Sequence, residues 1–162
     1  MPPSPASPVH LAFCVTNVSD GDSFTAIVSG RRVKCRLYGI DAPELHQPFG
    51  PTAAENLRDL ILDRVLEGRI ITLDCYSRTV VDLWAYGAVR VALLMLRDGL
   101  AWHTPRWSPD RKGFSHAQHA ARISRKGLWV DPCPAPPWTW RRQQGYRVMH
   151  ARTSRRARVR RP

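Results

Sequence analysis

Residues 11–40 read LAFCVTNVSDGDSFTAIVSGRRVKCRLYGI, three short apolar runs broken by two tight turns. Leu11 to Asn17 and Phe24 to Ser29 flank Ser19-Asp-Gly-Asp22. Asp-Gly between apolar runs favours a turn, because glycine takes a positive φ at no steric cost. Arg31 to Ile40 predicts a third strand with Val33, Cys35 and Leu37 on one face and Lys34 and Arg36 on the other. The segment that follows, from Asp41 to Gly50, carries Pro43 and Pro48 and predicts irregular chain.

Further along, Ala53, Leu57, Leu60, Ile61 and Val65 recur at helical spacing, which predicts a helix over 52–66 closed by Gly68. Strands are predicted over 69–73 and 79–85, an apolar helix over 89–97, and a more polar helix between Ser108 and Lys126. Strands first, one helix inserted, two more strands and then helices is an α+β order. Five strands with a helix after the third are compatible with a small OB-type barrel.

The chain has 162 residues and 43% hydrophobic content with six Trp, enough for one domain with a real core and too much for wholesale disorder. Its formal charge of +12 favours a polyanionic partner, nucleic acid before an acidic membrane surface. That charge is uneven. Nine Arg and no acid lie between Arg141 and Pro162, and subtracting nine from twelve leaves only +3 on the rest. Such a run reads either as a solvated extension or as a non-specific contact with nucleic acid. The expected organisation is a flexible segment over 1–9, the domain over 10–130, a Pro/Trp-rich clasp over 131–145 and an Arg-rich flexible tail over 146–162. Trp129, Trp138 and Trp140 are expected to pack back on the barrel from an extended chain. No apolar run approaches a membrane span, and residues 1–8 lack the basic and apolar regions of a secretory signal. The expectation is a chain that stays inside the cell, unless a leader lies outside this sequence. Cys14, Cys35, Cys75 and Cys133 form no CxxC or zinc spacing and are expected to be reduced thiols, although Cys14 and Cys35 could face each other across paired strands. The six His form no convincing ligand set; His116 and His119, three apart on a helix, read as surface.

The chemistry-bearing residues cluster around the turns. Asp22 follows the first turn, Asp41 and Glu44 stand in the loop after the third strand, and Arg36 lies on that strand's polar face. Two carboxylates with a nearby carbonyl make the oxygen-only shell a hard cation prefers. An Arg beside them suits a phosphate. Each residue also has a plainer reading: the acids as ordinary turn residues, Arg36 as a solvated side chain.

Val18-Ser-Asp-Gly-Asp-Ser23, Val33-Lys-Cys-Arg-Leu-Tyr-Gly-Ile-Asp-Ala-Pro-Glu44 and Gln47-Pro-Phe-Gly50 together resemble the signature segments of the staphylococcal nuclease-like domain. The likeness continues through Tyr76-Ser-Arg78, Asp98-Gly-Leu-Ala-Trp102, Lys126-Gly-Leu-Trp129 and Pro136-Pro-Trp-Thr-Trp-Arg141. It implies a five-stranded OB-fold barrel with three helices and a Ca²⁺-dependent nuclease acting on DNA and RNA, single-stranded or frayed, to leave 3′-phosphate ends. By position, Asp22, Asp41 and the carbonyl of Ala42 would bind Ca²⁺, Glu44 would activate water, and Arg36 and Arg78 would clamp the phosphate. Tyr76, Trp102 and Trp107 fall where nucleotides would stack, while burial against the last helix accounts equally well for the two Trp. The chain departs from the family pattern in two places. Ser77 replaces the usual Gly before Arg78 in a shortened loop, and one residue is added near Gly87-Ala88. A catalytically silent nucleic-acid-binding OB module is the second reading, and a binder of acidic surfaces through the Arg run the third. A monomer is the expected state.

Overall fold

A computed structural model describes residues 10–145. Strands β1 (Leu11–Val18), β2 (Ser23–Val28) and β3 (Arg31–Leu37) form an antiparallel meander, followed by the two-residue strand β4 (Ile40–Asp41) and helix α1 (Gly50–Ile61). Strands β5 (Val65–Leu73) and β6 (Thr79–Ala85) come next, then β7 (Val89–Arg90), α2 (Val91–Arg97), β8 (Trp102–His103) and α3 (Arg111–Ile123). A further helix, α4, runs over 137–145. The sheet order is β3-β2-β1-β5-β6-β7, and parallel pairing of β3 with β6 closes the five long strands into a barrel. This is the expected α+β OB-fold architecture.

Alternation fills the barrel. Phe13 and Val15 of β1, Phe24 and Ala26 of β2, Cys35 and Leu37 of β3, and Val81 and Leu83 of β6 all point inward and are buried. Helix α1 covers one end with Ala53, Leu57 and Ile61, and Met95, Leu96 and Phe114 join the same core from α2 and α3. Replacing a fully buried Phe such as Phe13 by Ala would remove about 3–5 kcal/mol. A second cluster forms beside it from Trp102, Ala121, Leu128 and Trp129, with Phe49 touching both.

Three boundaries differ from the periodicity. The first helix stops at Ile61, because Leu62 turns extended and Asp63 takes a left-handed φ of 55°. Val65 and Leu66 then pair with Cys14 and Phe13, so apolar residues in helical register belong to a strand whose partner lies fifty residues earlier. The third strand breaks at Tyr38-Gly39, and Asp41 is held in β4 against Trp102 instead of lying in irregular chain. The clasp is helical from residue 137 rather than extended. Pro137 stands in its first turn, where a missing N–H costs nothing and a fixed φ favours the helix. Trp129 is buried as expected, whereas Trp138 keeps 42% of its surface.

Cys14 pairs with Ile27 and Cys35 with Phe24, so these two thiols do not face each other, and all four cysteines are free. No helix among the described residues is long and apolar enough to cross a membrane. Segments 1–9 and 146–162 lie outside the described residues.

Candidate active site

Local turn chemistry places the first acid. Asp20 Oδ1 accepts the N–H groups of Asp22 (3.0 Å) and Ser23 (2.8 Å), which aims Asp22 inward under α1. Gly21 permits this: a Cβ there would stand 2.7 Å from the Cβ atoms of Ala42 and Ala53. Arg36 comes alongside because β2 and β3 pair Ser23 with Arg36. Its Nη2 lies 3.0 Å from Asp22 Oδ2 and 2.7 Å from Asp41 Oδ1. The two carboxylates therefore converge on one positively charged nitrogen.

Asp22 is fully engaged, accepting from Ser23 Oγ (2.8 Å) and from the Ala42 N–H (2.9 Å). Burial pushes its pKa up to about 7, with Asp20 and Asp41 adding to the rise and Arg36 and the Ala42 N–H opposing it. Arg36 does not offset the loss of water around Asp22. Burial also works against the charge on Arg36, yet Asp22 and Asp41 outweigh it and hold the guanidinium charged.

The loop from Asp41 to Gly50 carries Glu44 and is folded on itself. The N–H groups of Gln47 and Gly50 donate to the carbonyls of Glu44 and Gln47, each at 2.8 Å, and the Glu44 N–H donates to Gln47 Oε1 (3.1 Å). A side chain at Gly50 would strike the Glu44 carbonyl, so α1 can begin only with glycine at that point. Phe49 just before it takes a left-handed φ of 65°.

Arg78 arrives from the hairpin between β5 and β6. Asp74 organises that hairpin, accepting from the N–H groups of Tyr76 and Arg78 at 2.9 Å and from Arg78 Nε at 2.7 Å. Burial would raise the Asp74 pKa, but these hydrogen bonds win and hold it below the usual carboxylate value. Ser77 adopts φ 59°, the conformation for which glycine is the unstrained choice, and the shortened loop closes regardless. Arg78 Nη1 reaches Ser23 Oγ at 3.1 Å, which joins it to Asp22 through one hydroxyl.

The acids and arginines among these groups line one cleft of about 970 Å³. The structure gathers Asp22, Asp41, Ala42, Glu44, Arg36 and Arg78 there, with Tyr76 and Trp107 on its walls. Tyr76 and Trp107 are 77% and 57% exposed, each with a guanidinium over its ring, Arg78 at 5.5 Å and Arg106 at 5.6 Å. Trp102 is 6% exposed, edge-on to Trp129 at 5.5 Å and to Trp138 at 6.4 Å. Its expected stacking role is corrected to a core role, because β8 pairs it with Asp41 and turns the ring into the second cluster.

Two residues were not legible as site residues. Arg141, on α4, places Nη2 2.7 Å from Asp41 Oδ2 and Nη1 2.6 Å from Glu44 Oε1. Gln47, 4% exposed, ties the acid loop to the C-terminal segment through Nε2 to the Ala135 carbonyl (2.6 Å). A helix starting at Pro137 would have revealed Arg141, since Trp138 and Arg141 then share a face.

Among the described residues no three His, Cys, Asp or Glu side chains are arranged to hold a metal ion. A cation here would rest on the two converging aspartates, a backbone carbonyl and water. That donor set is oxygen alone, the chemistry a hard divalent cation prefers.

An OB barrel with paired acids and arginines in one cleft is a scaffold for handling phosphates. A family model described as staphylococcal nuclease homologue matches residues 34–131, more than half of the sequence. The chain belongs to the staphylococcal nuclease family. It is 32% identical over 130 residues to an "Uncharacterized endonuclease" of Escherichia coli O157:H7, covering 80% of this chain and 84% of that protein. A second "Uncharacterized endonuclease", from Haemophilus influenzae, is 35% identical over 131 residues, with 80% and 72% covered. "Staphylococcal-like nuclease CAN1" of Arabidopsis thaliana is 34% identical over 117 residues, with 72% and 36% covered. The chain thus spans most of the bacterial relatives but only about a third of the plant ones.

Proposed function

We propose that this protein is a nuclease that hydrolyses phosphodiester bonds of single-stranded or frayed DNA and RNA with Ca²⁺ as cofactor. The observation that carries this reading is the convergence of Asp22 and Asp41 on Arg36 Nη2, with Glu44 and Arg78 in the same cleft. The endonuclease and nuclease names of its relatives support the same chemistry. Tyr76 and Trp107 are exposed platforms on which unpaired bases would stack, which favours single strands over an intact duplex.

Asp22, Asp41 and the Ala42 carbonyl would hold the cation, which supplies fixed positive charge beside the scissile phosphate. Glu44, at the cleft's edge, accepts a proton from the attacking water. Arg36, from strand β3, and Arg78, from the turn between β5 and β6, stabilise the charge that gathers on the equatorial oxygens as phosphorus becomes five-coordinate. Both are held by carboxylates or hydroxyls before substrate arrives, so little reorganisation is needed at the moment of reaction. Water's oxygen bonds to phosphorus, the 5′ oxygen leaves with a proton, and a 3′-phosphate remains.

Hydrolysis of heat-denatured DNA by the purified protein tests this, with millimolar Ca²⁺, with EGTA, and with an Asp22→Ala/Glu44→Ala variant. Cleavage that requires Ca²⁺ and disappears in the variant is the expected result. A folded protein that binds the strand without ever cutting it would replace the enzyme with a binding module.

A further inference from the structure

Helix α4 sets a third arginine over the carboxylates of the cleft. Arg141 donates from Nη2 to Asp41 Oδ2 (2.7 Å) and from Nη1 to Glu44 Oε1 (2.6 Å), with Asp41 Oδ1 at 3.4 Å. One side chain, a hundred residues along the sequence from Asp41, therefore holds both a cation ligand and the water-activating acid. The helix that carries it is moored by the Gln47 bond to Ala135 and by Trp138 against Trp102.

Arg36 and Arg141 grip Asp41 in different ways. Arg36 sits within a barrel strand with its side chain 20% exposed, and shares its nitrogen between two buried acids. Arg141 is 46% exposed, on a short helix at the surface. The pair with Asp41 is half-buried, exposed only on the Arg141 side, and a long side chain at a helix surface can swing without disturbing a strand ladder. On Asp41, Arg36 holds Oδ1 at 2.7 Å, while Arg141 holds Oδ2 at 2.7 Å and reaches Oδ1 only at 3.4 Å.

We propose that Arg141 is a cationic latch. It holds Asp41 and Glu44 in competition with the divalent cation, and substrate phosphate draws it off, so cation binding and nucleic-acid binding are coupled. The proposal rests on Asp22 and Asp41 as cation ligands. A guanidinium and a divalent cation repel each other and seek the same carboxylate oxygen, so each weakens the other's hold. A phosphodiester offers the guanidinium fork an equivalent pair of oxygens. Moving Arg141 from carboxylates to phosphate removes the competitor from Asp41 and frees Glu44 to face water. Arg141 is thus a positioning residue, acting through Asp41 and Glu44. The linkage is reciprocal, so the cation also favours the form of Arg141 that binds phosphate.

Calorimetric titration of Ca²⁺ into the full chain, without nucleic acid, tests the latch. Wild type is compared with Arg141→Ala, with Arg141→Gln, which keeps a side chain of similar reach, and with Arg142→Ala, which removes a neighbouring exposed charge. Circular dichroism checks that each variant is folded. Both Arg141 variants are expected to bind Ca²⁺ about tenfold more tightly, while Arg142→Ala stays within about twofold of wild type. Loss of a merely structural contact would leave affinity unchanged or weaken it, and either result overturns the proposal. In a second titration, a phosphorothioate single strand should raise the Ca²⁺ affinity of wild type about tenfold and that of Arg141→Ala far less. Equal enhancement in both would remove the coupling. If neither wild type nor variant takes up millimolar Ca²⁺, the cation reading fails and the latch with it. Binding by wild type without tightening in the variants rejects the latch alone.

Discussion

Asp22 shows how a residue that burial makes unfavourable can stand at the centre of a cleft. Its carboxyl is buried beside two other acids, and its pKa rises to about 7, chiefly through loss of water. Below about pH 4 both folded and unfolded chains hold this proton. Between there and about pH 7 the folded protein keeps a proton that the unfolded chain has released, so stability falls as pH rises. In chelator-containing buffer the loss across that window should be on the order of a few kcal/mol. Asp22→Asn cannot ionise, and should flatten that part of the curve while abolishing Ca²⁺-dependent cleavage. Urea titrations of both proteins at pH 5, 6, 7 and 8 measure it; parallel curves would show that another group sets the slope. The residue types and spacing of Asp22, Arg36, Asp41 and Glu44 were legible from the sequence because turn chemistry and strand alternation place them locally. The fate of Trp102 was not, because two equally plausible packings differ only in what the ring meets on the far side.

Among the elements, the hairpin between β5 and β6 is the most informative. The family resemblance implies a longer loop there with glycine where this chain has Ser77. The hairpin nonetheless delivers Arg78 to the cleft, because Asp74 organises the turn with three hydrogen bonds. Asp74→Ala should therefore lower kcat about tenfold or more, with a stability loss of only about 1 kcal/mol, since most of what is lost is the aim of one guanidinium. Single-turnover cleavage beside a thermal melt separates the two effects. Equal rates in both proteins would show that Arg78 needs no anchor or plays no part. Helix α4 is the element whose conformation the sequence concealed. A run with Pro132, Pro134, Pro136 and Pro137 reads as extended chain, but only the last two meet the helix, at its first turn, where proline favours helix formation.

The sequence joins a mildly basic body, with a net charge of +5 over residues 1–145, to an Arg-rich extension. Seven of the Arg lie in residues 146–162, and a charge run of that kind would add affinity for a polyanion without sequence readout. A chain ending at residue 145 should bind single-stranded DNA more weakly and with a shallower dependence on salt, while kcat at saturating substrate stays within about twofold. Anisotropy titrations at several salt concentrations test this, and an unchanged slope would mean that the extension does not touch the substrate. The barrel's strands and the α+β order were readable because side-chain periodicity and Asp-Gly turns act between neighbours a few residues apart. So was the core of the site, since its acids and Arg36 lie within residues 22–44 on a single meander. Closure of β3 on β6, the diversion of Val65 and Leu66 from helix to strand, the burial of Trp102 and the arrival of Arg141 on Asp41 and Glu44 came only with the folded chain. Each depends on contacts between segments tens of residues apart, and those contacts are decided by which faces remain to be buried once the local elements exist.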